Sequence, residues 1–177
     1  DKQTEALTAA AKKPVPDGNS LRSFTGEGNR QYLTGMRMGG KHIAILVDTS
    51  TSMLDRTIVN VIRRRNMPPE QQRQAPKWKQ VVNTVDWITT QIEEGTQVQI
   101  IGFTGKATSL IPNSNGKWVT ITDGKEIDAA VNALRADYPK GPTSLHAAFA
   151  AVRALEPKPD NIYLLTDGLP KIGRAHV

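Results

Sequence analysis

The sequence predicts an α/β fold: a mostly parallel sheet with helices on both faces. Three observations carry that expectation. The runs Ile43-Ala44-Ile45-Leu46-Val47 and Ile162-Tyr163-Leu164-Leu165 are apolar without polar alternation, the pattern of strands buried on both faces. Each run leads into an aspartate, Asp48 directly and Asp167 after Thr166. Between them, extended segments alternate with segments of helical apolar spacing.

The elements follow in chain order. Residues 1 to 40 read as a lead-in: a polar, Ala-rich start, a break at Lys13-Pro14-Val15-Pro16-Asp17-Gly18, then many Gly, Asn and Ser. Gly39-Gly40 precedes a strand over about Lys41 to Val47. Asp48 to Met53 is the loop leaving it. Leu54 to Arg65 reads as a short helix with Ile58, Val59 and Ile62 on one side, stopped by Asn66-Met67-Pro68-Pro69, since proline neither donates nor continues a helix. Residues 66 to 76 look like a surface insertion. Pro76 suits the first position of the next helix, whose stripe is Trp78, Val81, Val82, Val85, Ile88 and Ile92, with Trp87 off the stripe and Gly95 as its left-handed end. Val98 to Phe103 is the second strand, Ala107 to Ile111 returns beside it as an antiparallel edge, and Trp118 to Ile121 is a further extended piece. A helix over about Lys125 to Arg135 turns Ile127, Ala130, Val131 and Leu134 inward. The next, after Thr143, runs to about Leu155, with Leu145, Ala148, Phe149, Val152 and Leu155 inward, and Asn161 to Leu165 is the last strand.

Composition narrows the function classes. The 177 residues suffice for one domain with a real core. The formal charge of +6 invites a nucleic-acid reading, but the basic residues are scattered apart from Arg63-Arg64-Arg65, and no aromatic is interleaved with them as a stacking platform requires. The triplet reads as the solvated end of a helix. Cysteine is absent, which excludes disulfides, thiolate zinc sites and cysteine nucleophiles. No apolar stretch approaches the ~20 residues of a membrane span. No Gly-rich phosphate loop ending in Lys-Ser/Thr is present, against an NTPase. His42 and His146 have no partner at metal-ligand spacing and read as packing or surface residues.

Three short stretches offer oxygen donors: Asp48-Thr49-Ser50-Thr51-Ser52, Thr143 in Gly141-Pro142-Thr143-Ser144, and Asp167. Open α/β sheets bind ligands at the carboxyl ends of their strands, where two of these stretches lie. Asp48, Ser50 and Ser52 alternate, so a curled loop aims all three side chains at one place. Thr143 adds a hydroxyl and Asp167 a carboxylate. Mg²⁺ takes octahedral oxygen coordination and keeps several waters. A donor set of mostly neutral hydroxyls leaves the ion electrophilic and able to accept a carboxylate from another molecule. The structural alternatives are a helix N-cap at Thr143 or Ser144 and an ordinary strand-to-loop turn at Asp167-Gly168.

Asp48-Thr49-Ser50-Thr51-Ser52-Met53, Pro142-Thr143-Ser144-Leu145 and Leu164-Leu165-Thr166-Asp167-Gly168 together resemble the von Willebrand factor A domain. The resemblance covers about residues 41 to 170. It implies a doubly wound, Rossmann-like sheet and a metal-ion-dependent adhesion site. By that resemblance Ser50, Ser52 and Thr143 are direct hydroxyl ligands, while Asp48 and Asp167 act largely through bound waters. Mg²⁺ is the implied ion, with Mn²⁺ or Ca²⁺ able to substitute. The implied function is non-enzymatic: a metal-dependent protein–protein interaction in which a partner's acidic side chain completes the metal. Gln31-Tyr32-Leu33-Thr34-Gly35 further resembles bacterial members, some of which carry an upstream membrane anchor. Many of those members have Gly where Thr51 stands, a change that stiffens the loop and removes no ligand.

The alternative function is Mg²⁺-dependent phosphoryl transfer or hydrolysis by the strand-end aspartates. Phosphatases of that kind need a second acid two residues after the nucleophile, and here that position is Ser50. The resemblance also implies two more strands after Asp167, so the domain over 41–170 is expected to be incomplete and one flank of its sheet uncovered. The tail Ile172-Gly173-Arg174-Ala175-His176-Val177 is what ATC GGA AGA GCA CAC GTC, a string within a common short-read sequencing adapter, would encode. Residues 171–177 are therefore expected to be translated adapter, and His176 is set aside.

Overall fold

A computed structural model of the chain describes residues 39–167. The expectations for the lead-in and for the adapter-like tail fall outside this range. Among the described residues, β1 (His42–Asp48), β2 (Gln97–Phe103), β3 (Ala107–Ser109), β4 (Val119–Thr120) and β5 (Asn161–Leu165) form one sheet. The helices are α1 (Ile58–Arg65), α2 (Pro69–Arg73), α3 (Pro76–Thr89), α4 (Lys125–Ala136) and α5 (Leu145–Arg153), with a 3₁₀ turn at Thr51–Leu54.

The strand order is β3-β2-β1-β5, with β4 also on β2. β1 runs parallel to both β2 and β5, whereas β3 and β4 are antiparallel to β2. The strand thus flanked on both sides, β1, is buried from Ile43 to Asp48. Its alternate side chains feed two apolar layers. Ile43, Ile45 and Val47 join Trp78, Val82 and Val85 of α3 and Ile127, Val131 and Leu134 of α4. Ala44 and Leu46 join Ile101 and Phe103 of β2 with Ala148 and Val152 of α5 and Leu155 beyond it. Helices therefore cover both faces, as a near-continuous apolar strand demands.

Several elements depart from the sequence expectation. The first helix starts at Ile58, not Leu54, because Met53 and Leu54 turn into the core in the 3₁₀ turn and Asp55 is extended. Ile58, Val59 and Ile62 do share a side, but α1 lies on the surface and they stay exposed. The 66–76 segment is an ordered lip: the buried Gln72 of α2 donates to the carbonyls of Met67 at 2.7 Å and Arg65 at 3.2 Å. α3 ends at Thr89, and Ile92 reaches the core from the following turn. Gly95 has φ +81° but sits in the turn before β2, where its N–H donates to Ile121 at 2.8 Å. Trp87, off the main stripe, packs at the core edge. Phe149 is not inward. It is 41% exposed, because α5 is covered only along the Ala148–Val152–Leu155 line. On the same face, Ile162 and Leu164 of β5 are also exposed.

The fully buried Gln99 of β2 interrupts an otherwise apolar strand. Its amide donates to the carbonyls of Ser114 at 2.7 Å and Lys117 at 2.6 Å, which satisfies a polar group that burial would otherwise penalise. It fastens the loop between β3 and β4 to the sheet. No helix among the described residues is long and apolar enough to cross a membrane.

Candidate metal centre

The parallel register sets Val47 beside Leu165, so β1 and β5 end at the same level and their loops leave the sheet together. β2 and β5 flank β1 on opposite sides, which opens a crevice at the carboxyl ends of these strands. Asp48, the last residue of β1, is fully buried there. Its Oδ1 accepts the Ser50 N–H at 2.9 Å, and its Oδ2 accepts the Thr166 hydroxyl at 2.9 Å. The first bond is a local Asx-type turn that curls the loop. The second ties the ends of the two strands together.

The curl brings three hydroxyls into contact. Ser50 Oγ lies 2.8 Å from Ser52 Oγ and 2.6 Å from Thr143 Oγ1. Thr143 arrives from a loop 93 residues away, and that loop is docked by backbone pairing. Thr51 N donates to the Gly141 carbonyl at 3.0 Å, and Lys140 N donates to the Thr49 carbonyl at 2.9 Å. The Thr51 hydroxyl adds a bond to the same Gly141 carbonyl at 2.9 Å. Thr51 therefore does more than stiffen its loop, because it holds the loop that delivers Thr143. Gly141 itself has φ +73°, a conformation that favours glycine. Ser144, not Thr143, caps α5 by accepting the Ala147 N–H at 3.2 Å. The cap and the hydroxyl cluster thus use neighbouring residues without competing.

The structure joins Asp48, Ser50, Ser52 and Thr143 in one hydrogen-bonded cluster. Asp167 stands at its margin, with a carboxylate oxygen 2.7 Å from Lys77 Nζ. Lys77 also donates to the carbonyls of Ser52 at 3.0 Å and Asp55 at 3.3 Å. Lys77 and Thr166 lie outside the donor set that the sequence offers. For Lys77 there was a signal, since a lysine in the first turn of a helix opposes the positive end of the helix dipole. For Thr166 the signal was its place beside Asp167 at a strand end.

The donor chemistry suits an oxygen-seeking cation. The side chains of the cluster offer oxygen atoms only, three of them neutral hydroxyls. His42 lies at the opposite end of β1, with its ring 5.3 Å from that of Trp118, and His146 is exposed on α5.

A model of the von Willebrand factor type A domain family matches residues 43–169. The chain belongs to that family. The fold of this von Willebrand factor A domain is accordingly the expected Rossmann-like α/β arrangement. It is similar to a solved structure of a von Willebrand factor type A from Catenulispora acidiphila, at 18% identity and a TM-score of 0.42 over 65% of this chain. The match spans 22% of that longer protein. No curated protein matches the chain significantly. Domains of this family generally serve as interaction modules.

Where the loop after β1 passes into α1, Asp55 is pinned by Arg64, whose Nε lies 2.9 Å from its Oδ2. That bond chiefly draws the Asp55 carboxyl down to about 2 from an ordinary 3.8, with the amides of Arg56 and Thr57 and the Asn60 side chain helping and burial opposing. A carboxyl with a lowered folded pKa contributes stability that is complete above its unfolded value and is lost as pH falls through the folded one. The α1 lip should therefore be intact above about pH 4 and loosen toward about pH 2. Amide exchange over residues 57–65 across that range checks this, and Asp55→Asn should show the fast exchange already at neutral pH.

Proposed function

We propose that this domain is a divalent-cation-dependent protein-interaction module. Ser50, Ser52 and Thr143 would ligate Mg²⁺ directly, with Mn²⁺ or Ca²⁺ able to replace it, and Asp48 and Asp167 would act through bound waters. The observation that carries this is the convergence of three hydroxyls from two distant loops on Ser50 Oγ. Bound there, the ion supplies Lewis acidity toward an incoming oxygen ligand. Neutral donors leave most of its charge uncompensated, so a carboxylate from a protein partner is the natural completing ligand.

The same geometry weighs against a phosphoryl-transfer use. Both Asp48 oxygens already accept hydrogen bonds, from Ser50 N and Thr166 Oγ1, which ill suits a nucleophile, and Ser50 fills the position where the second acid is needed. The test is partner affinity measured with Mg²⁺ and with excess chelator. Chelation is expected to weaken binding by at least about 100-fold. Equal affinity in the two conditions refutes metal bridging.

A further inference from the structure

We infer that Lys77 is a tethered cation that competes with a divalent ion for Asp167. The inference rests on the metal-site reading above. An ammonium group has three hydrogens to donate, and Lys77 Nζ meets three acceptors: Asp167 Oδ2 at 2.7 Å, the Ser52 carbonyl at 3.0 Å and the Asp55 carbonyl at 3.3 Å. The pair is well shielded, with the Lys77 side chain 18% and the Asp167 side chain 5% exposed, so solvent screens it less than a surface pair.

Two of the three acceptors belong to residues of the proposed site, Ser52 and Asp167, and the third closes the metal loop. Lys77 thus neutralises a carboxylate that the ion would otherwise use. Its positive charge would also repel a divalent ion held by Ser52 and Asp167, since Lys77 Nζ already meets a group of each residue. Placement at the second position of α3 sets the ammonium against the helix dipole, a cost that these acceptors offset. Metal uptake would then weaken the hold of the lysine on Asp167, and the site would have reduced intrinsic affinity, filled when the ion and its waters outcompete a built-in side chain.

Wild type, Lys77→Met and the double variant Ser50→Ala/Ser52→Ala are titrated with Mn²⁺ by calorimetry, and metal-free thermal unfolding is recorded for each. Methionine keeps the stem and removes the charge. Lys77→Met is expected to bind Mn²⁺ at least about tenfold more tightly than wild type while melting at a lower temperature without metal. Equal or weaker affinity in a folded Lys77→Met overturns the inference, because it makes the lysine either a bystander or a support for Asp167. That result leaves the metal-site reading standing if wild type binds and the double variant does not. Absence of binding in wild type, Lys77→Met and the double variant alike removes the metal site and the inference with it. Should Lys77→Met not fold, amine acetylation of wild type followed by mass spectrometry decides: Lys77 should become more reactive when Mn²⁺ is added, and unchanged reactivity overturns the proposal.

Discussion

Replacing Ser50 and Ser52 together by alanine is expected to abolish Mg²⁺-dependent partner binding, a loss of at least about 100-fold, while the domain stays folded. Ser50 is the hub of the cluster, fully buried and in contact with both other hydroxyls. Its hydroxyl and that of Ser52 are two of the three proposed direct ligands, and loss of a direct ligand should cost more than the 10–100-fold typical of an outer-shell partner. The structural cost is small by comparison. Each lost hydroxyl contact is worth about 1 kcal/mol, the Ser50 N–H keeps its bond to Asp48, and the loop remains docked through Thr51 and Gly141. Circular dichroism and thermal unfolding of the double variant separate the two effects: an unchanged fold with lost binding is the expected pair of results.

Trp78→Ala is expected to have the largest effect on stability, about 3–5 kcal/mol. Trp78 is 1% exposed on α3 and lies within the larger apolar layer. Its Nε1 donates to the Asp137 carbonyl at 3.3 Å, so the ring also ties α3 to the end of α4. Alanine leaves a cavity and an acceptor without its donor. Against a total stability of about 5–15 kcal/mol for a typical domain, the variant should be marginal in urea unfolding. Saturating metal should recover part of the loss, since a ligand that binds only the folded state at about 100 times its Kd adds about 2.7 kcal/mol. Recovery should vanish when Ser50→Ala/Ser52→Ala is added to the same chain.

Much of the framework was legible because apolar runs without alternation mark parallel strands, although of β1 and β5 only β1 is buried as that pattern predicts and β5 leaves Ile162 and Leu164 exposed. β1 and β5 are apolar runs without alternation, and the sequence placed β5 at the same bounds the structure gives it and β1 within one residue. The hydroxyl cluster was legible because its donors sit where such sheets bind ligands, at strand ends, with spacing that brings Ser50 and Ser52 to one side of a turn. The remainder depends on contacts between distant residues. Gly95 suits a helix end and a turn equally, and nothing local says that α3 stops at Thr89 and leaves a separate turn. Phe149 follows the inward spacing of α5, but spacing cannot say how much of a helix the sheet covers. The bond between Lys77 and Asp167 spans 90 residues. The sequence shows a lysine in an awkward place in a helix and gives no hint of the carboxylate that takes it up.

The convergence of Ser50, Ser52 and Thr143 on one cation is tested most directly by crystals of the domain grown with Mn²⁺ and measured for anomalous scattering. A single strong peak within direct coordination distance of all three hydroxyls, about 2.0–2.2 Å for ions of this size, is the expected result. A map with no peak at the Ser50 cluster, or with the ion bound elsewhere on the domain, would contradict it.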